Sequence, residues 1–313
     1  METPETNRRV AVIGLGSMGF GIATSLLRAG FEVVGSDPNP ATTERLRALG
    51  GHIAANPALA VAGAKAVLCV VVNAAQTEQV LFGANGCSGQ MTPEAAFIAM
   101  ATIAPAQARD FAARLAATAA DYLDAPISGG AAKAAAGKLS IMASGAPAVF
   151  DRVADVLAAV SDNLFRLGDQ PGQGSMFKIV NQLLAGVHIA VAAEAMAFAA
   201  GQGLDLEQVY RVITASAGNS WMFTDRMRRV LDQDRVPRST TDIFVKDLGI
   251  VLDVARAERL PVPISAAALQ MFLMTSAAGM GAEDDSSVAR LYGRLIGNAA
   301  LDPESPGPVP TPF

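Results

Sequence analysis

Residues 9–37 read RVAVIGLGSMGFGIATSLLRAGFEVVGSD. Residues 9–13 are a short run rich in Val and Ile, which predicts a buried strand. Gly14-Leu15-Gly16-Ser17-Met18-Gly19 follows at once, and apolar residues then recur at helical spacing through Ile22, Leu26 and Leu27. A second strand over 31–35 ends at Asp37. Strand, G-x-G-x-x-G, helix, strand and acidic residue is the dinucleotide-binding pattern in its required context. Gly14 permits the tight turn, Gly16 lets backbone approach a pyrophosphate, and Gly19 allows close helix–strand packing. The pyrophosphate would meet the positive helix N-terminus. A carboxylate at Asp37 suits the adenosine ribose hydroxyls and repels a 2′-phosphate, and Pro38-Asn39-Pro40 supplies no Arg. NAD is therefore expected over NADP. The bland alternative is that Asp37 only starts a turn.

Working outward, strands are expected at 66–72 (AVLCVVV), 96–101, from 122, at 137–142 and at 163–167, with a helix over 146–160. The run at 66–72 is too apolar for a half-exposed strand and fits a parallel sheet covered on both faces. Asn73 and Thr102 end two strands at the carboxyl edge, where open α/β sheets bind ligands. From 124 the chain reads Asp124-Ala-Pro126-Ile-Ser128-Gly129-Gly130, and the backbone N–H groups of Ser-Gly-Gly with the serine hydroxyl can clamp an anion.

Beyond 170 the pattern changes. Residues 172–200 form one long apolar helix opened by Gly-Gln-Gly-Ser and closed near Gly201 and Gly203. Helices follow at 206–217, 221–231, 243–259, 265–279 and 286–297. The expected architecture is α/β: a Rossmann-type dinucleotide-binding domain at 1–169, then an all-α domain for substrate and oligomerisation at 170–300, then a flexible Pro-rich tail at 301–313.

The 313 residues are 51% hydrophobic and 17% charged, with a net charge of −5. That balance argues against nucleic acid and leaves apolar surface for subunit contacts. Lys178, His188 and Glu194 interrupt the long helix and argue against a membrane span. Two cysteines, Cys69 and Cys87, suggest neither a metal site nor a disulfide framework, so a cytoplasmic setting is expected. The polar start METPETNRR lacks a secretory apolar core.

Lys178, Asn181, Gln182 and Ala185 share one helix face. Oxidising an alcohol with a nicotinamide requires a protein base for the hydroxyl proton. Lys178 near the positive helix end, and buried, is disfavoured as an ammonium and so suits that task. His52 near a loop and His188 far down the helix compete poorly.

Four blocks, GLGSMG (14–19), DAPISGG (124–130), GQGSMFK (172–178) and KDLGI (246–250), resemble the β-hydroxyacid dehydrogenase family, which includes 3-hydroxyisobutyrate dehydrogenase and tartronate semialdehyde reductase. The stretches at 71–83, 182–197, 217–223 and 242–249 resemble its L-threonate branch. The resemblance implies Lys178 as catalytic lysine and Ser128, Gly129 and Gly130 as the substrate carboxylate clamp. It implies cofactor contacts from Gly14, Leu15, Gly16, Ser17, Met18, Gly19, Asp37, Asn73, Thr102 and Lys246. Many family members carry Asn four residues after the lysine, where this chain has Gln182 preceded by Asn181, so either amide can touch substrate. Asn219, Ser220 and Asp247 are further polar candidates.

The expected reaction is NAD-dependent oxidation of a small hydroxy acid, first L-threonate at C2. Tartronate semialdehyde or 3-hydroxyisobutyrate chemistry is the alternative. A non-catalytic dinucleotide sensor is disfavoured by the complete lysine and clamp. The expected assembly is a homodimer or homotetramer, with no metal, nucleic acid or membrane partner.

Overall fold

A computed structural model describes residues 7–305. The chain divides into two compact units, one up to Lys178 and one from Ile179 onward.

In the first unit, β1 (Arg9–Ile13), β2 (Glu32–Ser36), β3 (His52–Ile53), β4 (Ala66–Cys69), β5 (Ala96–Ala99) and β6 (Asp121–Asp124) form a parallel sheet ordered β3-β2-β1-β4-β5-β6. The order reverses between β1 and β4, which sets the switch-point crevice at the ends of those strands. Alternation explains why the strands read as unbroken apolar runs. Val10 and Val12 face the core built with Ile22 and Leu26 of helix Ser17–Arg28. Ala11 and Ile13 face the opposite core, with Leu81, Phe111 and Leu115.

Three features differ from the expected pattern. β3 forms where the sequence shows no strand signal, and it carries His52 on the sheet edge beside Glu32. The later strands do not extend the parallel sheet. β7 (Ile127–Ser128) pairs antiparallel with β8 (Leu139–Ala143), which pairs parallel with β9 (Ser161–Arg166), in a separate three-stranded sheet. The helix expected at 146–160 is two pieces, Pro147–Arg152 and Ala154–Val160, meeting at Val153.

In the second unit, helices Leu206–Thr214, Trp221–Leu231, Thr241–Ala257, Pro263–Thr275 and Val288–Ile296 gather around the C-terminal part of helix Gln173–Gly201. That helix ends where Gly203, at φ 72°, lets the Leu204 amide reach back to the Ala199 carbonyl. Helices Gln173–Gly201 and Pro263–Met280 are long and apolar enough to cross a membrane by length and composition. In the first, however, Ile189, Ala193 and Met196 are fully buried inside this unit's own core. Within the stretch expected as a tail, Leu301 and Asp302 are buried, and Asp302 pairs with Arg290 and Arg294. Residues 306–313 lie outside the described residues.

Candidate active site

The glycine loop has the stereochemistry its sequence requires. Gly14 sits at φ 89°, and a Cβ there would meet the Val70 carbonyl at 2.4 Å. A Cβ on Gly19 would fall 1.8 Å from the Gly14 oxygen, so only glycine lets the helix start this close to the turn. Gly16 differs: a Cβ added there would find no atom within 4 Å, and its φ of −60° is open to any residue. The space beside Gly16 is what a pyrophosphate needs for close backbone approach. Among the described residues no side chain caps helix Ser17–Arg28, and a helix start of this kind suits an anion. The residues present therefore fit a dinucleotide. Asp37 stands at the end of β2, where Oδ2 accepts the Leu15 amide at 2.6 Å and Oδ1 the Asn39 amide at 2.8 Å. The carboxylate thus also ties the glycine loop to the second strand.

Asn73 follows the β4 end and caps helix Ala74–Phe82, its Oδ1 accepting the Gln76 amide at 2.9 Å. Thr102 follows β5 and is half-buried. Ser128 lies in β7 opposite Ser140 rather than in a free loop. Gly129 and Gly130, at φ 138° and 76°, turn the chain into helix Gly130–Ala136. That helix packs on helix Ser17–Arg28, where a Cβ on Gly21 would meet the Ala135 amide nitrogen at 2.7 Å. The anion-clamp candidate is thereby anchored to the helix that starts at the glycine loop.

Lys178 is buried, with 7% of its surface exposed. It lies in the second turn of helix Gln173–Gly201, beyond the first turn where a helix dipole acts most strongly. The positive helix end is also already engaged. Asp124 Oδ2 accepts the amides of Gly172 and Ser175, both at 2.8 Å, and Oδ1 accepts the Ser175 hydroxyl at 2.7 Å. The Gly174 amide goes to Ser144 Oγ at 2.9 Å. The dipole expected to act on Lys178 therefore acts mainly on Asp124. Burial pushes the Asp124 carboxyl above its ordinary range, while the hydrogen bonds from Ser175 and Gly172 pull it back. No motif in the sequence gives Asp124 a role. Its one signal is an acidic residue closing an apolar strand, which must find donors if buried.

In the second unit, Asn181 is half-buried and Gln182 buried. Asn181 Nδ2 donates to Gln182 Oε1 at 2.9 Å, and Gln182 Nε2 donates to Asp247 Oδ2 at 2.5 Å. The Lys246 ammonium lies 2.5 Å from Asp247 Oδ1, near enough for an ion pair though not aligned as a hydrogen bond. Asn219 and Ser220 serve local structure. The Ser220 hydroxyl caps helix Trp221–Leu231, and Asn219 bridges the Thr214 carbonyl and the Thr224 hydroxyl.

Residues 9–168 match the model of the NAD binding domain of 6-phosphogluconate dehydrogenase. Residues 172–292 match that of the NAD-binding domain of NADP-dependent 3-hydroxyisobutyrate dehydrogenase. An L-threonate dehydrogenase of Cupriavidus necator is 52% identical over 91% of this chain and 96% of its own length. One from Escherichia coli is 49% identical over 90% and 94%. This chain belongs to the β-hydroxyacid dehydrogenase family. A crystal structure described as 3-hydroxyisobutyrate dehydrogenase from Salmonella typhimurium superposes on this family member with TM-score 0.86 at 50% identity, covering 90% of this chain and 99% of that one. As a β-hydroxyacid dehydrogenase it is an oxidoreductase with a nicotinamide dinucleotide cofactor.

Proposed function

We propose that the protein oxidises L-threonate at C2 to the 2-oxo acid with NAD. The observation that carries this reading is the 45–52% identity, over about nine-tenths of the chain, to relatives named L-threonate dehydrogenase. The dinucleotide, when bound, accepts the hydride. The chain's own residues hold and move the rest. Lys178 takes the proton of the C2 hydroxyl and returns it in the reverse direction. Ser128, Gly129 and Gly130 hold the carboxylate, and the amide pair Asn181 and Gln182 supplies the group that meets the remaining hydroxyls. The loop Gly14, Leu15, Gly16, Ser17, Met18 and Gly19 holds the pyrophosphate. Asp37 holds the ribose, and Asn73, Thr102 and Lys246 complete the cofactor contacts. The match to a model named for an NADP-dependent enzyme leaves the choice of NAD resting on Asp37 and on the absence of Arg at 38–40.

Oxidation of 3-hydroxyisobutyrate is the second reading, favoured by the description of the Salmonella structure. The polar chain Asn181–Gln182–Asp247 favours a substrate with additional hydroxyls. The remaining hydrogen-bonding capacity of the half-buried Asn181 amide, left unmet by an apolar acid, penalises it. L-Threonate, D-erythronate, D-glycerate and 3-hydroxyisobutyrate are assayed side by side with NAD and NADP. L-Threonate with NAD should exceed 3-hydroxyisobutyrate by at least about 100-fold in kcat/KM, the equivalent of two lost hydrogen bonds at roughly 3 kcal/mol. A preference for 3-hydroxyisobutyrate would replace the substrate assignment and leave the family intact.

We also propose a cytoplasmic homo-oligomer, at least a dimer, assembled through the helical unit. Cys69 and Cys87 are buried free thiols, as in a reducing compartment. Phe198, Val191, Leu204 and Val212 are more than half exposed around an apolar groove of about 710 Å³. A second copy covering that groove would hide apolar surface that a monomer leaves in water. Sedimentation at micromolar concentration reads the state directly, and a monomer would contradict it.

A further inference from the structure

The substrate reading leaves open which of two adjacent amides meets the substrate, and the hydrogen bonds of the helical unit decide between them. Asp247 is 1% exposed, on helix Thr241–Ala257. An ionised carboxylate can only accept, so the group Gln182 turns towards it must be the NH₂. The Gln182 oxygen is then forced to the other side, where the Asn181 NH₂ donates to it at 2.9 Å. Both polar ends of Gln182 are thus engaged inside the protein. Two helices must approach closely for this. Gly186, one turn beyond Gln182, provides the approach, since a Cβ there would lie 2.9 Å from Leu248 Cδ1. Among the described residues, half-buried Asn181 keeps its Oδ1 acceptor and a second N–H beyond the chain of bonds.

We propose, resting on the L-threonate reading above, that Asn181 is the amide that meets the substrate. Its Oδ1 accepts a hydrogen bond from a C3 or C4 hydroxyl, and Gln182 is a positioning residue whose orientation is fixed by Asp247. The order inverts what the spacing of the family's Asn would suggest, because Gln182 is long enough to be held by the neighbouring helix. Gln182 thereby sets selectivity for polyhydroxy acids without touching them.

The test compares kcat and KM for L-threonate and 3-hydroxyisobutyrate in wild type, Asn181→Ala and Gln182→Met. Met keeps the volume of Gln and removes both hydrogen bonds. Asn181→Ala should cut the preference for L-threonate on the order of 10-fold or more, the usual worth of one buried hydrogen bond to a substrate hydroxyl. Gln182→Met should cut it in the same direction, through KM for L-threonate more than through kcat. A residue with only a structural role would lower kcat/KM for both acids in parallel and leave their ratio unchanged. That result in Gln182→Met, or an unchanged ratio in Asn181→Ala, overturns the assignment. A wild type without preference for L-threonate refutes the substrate reading instead, and is seen before either variant is measured.

Discussion

Asp124 and Ser175 are joined twice: Ser175 donates its amide to Asp124 Oδ2 at 2.8 Å and its hydroxyl to Oδ1 at 2.7 Å. This pair ties the end of β6 to the first turn of the helix that carries Lys178. It links two sequence motifs, DAPISGG and GQGSMFK, that lie about fifty residues apart. Gly174 belongs to the same junction, since a Cβ there would meet the Met142 carbonyl at 2.3 Å.

Asp124→Ala would strand the buried amides of Gly172 and Ser175. It should cost about 3 kcal/mol in denaturant unfolding. The folded variant should lose about 100-fold in kcat, the scale of a 1 Å misplacement of a reacting group. Asp124→Asn, whose oxygen can take over the two amides, should recover most of the stability. Equal losses in both variants would mean that the charge, rather than the hydrogen bonds, sets the junction.

Gly16 and Gly19 should fail in different ways. Gly16→Ala meets open space and an ordinary φ, so it should fold with wild-type stability and yet bind the dinucleotide at least about tenfold more weakly. Gly19→Ala drives a methyl group into the Gly14 carbonyl and should lose stability by several kcal/mol. Thermal unfolding and cofactor titration separate the two. Unimpaired cofactor affinity in Gly16→Ala would displace the pyrophosphate from this loop.

Cys69 and Cys87 give a pH signature. Burial, and for Cys69 also the nearby Cys87, raises both thiols, that of Cys87 to about 12. Unfolded thiols titrate near about 8.5. The sign follows: these groups contribute full stability below the unfolded value, and that contribution falls as pH rises from there towards the folded value. Native protein at about pH 8 should resist thiol reagents that label both cysteines after unfolding. Unfolding midpoints should begin to decline only in alkaline solution. Rapid labelling of folded protein would contradict the burial.

Much of the fold is legible because burial on both faces makes a central parallel strand an unbroken apolar run. Residues 10–13 and 66–69 are such runs. β3, two residues at an edge after Gly50 and Gly51, has no such pattern. The separate β7–β8–β9 sheet is illegible because β7 is two residues long and its partner is fixed by packing rather than by period. In the candidate site, the glycine loop is readable from steric need alone. The service of Asp124 and Asp247 is not, because a buried carboxylate's donors come from residues distant in sequence.

The most direct measurement is turnover of L-threonate with NAD by wild type and Lys178→Ala, alongside dinucleotide titration of both. Loss of a general base should lower kcat by on the order of 100- to 10,000-fold. Dinucleotide affinity should stay near that of wild type, because Lys178 lies outside the Gly14–Gly19 loop. A variant that keeps more than a tenth of wild-type kcat would show that Lys178 does not carry the proton.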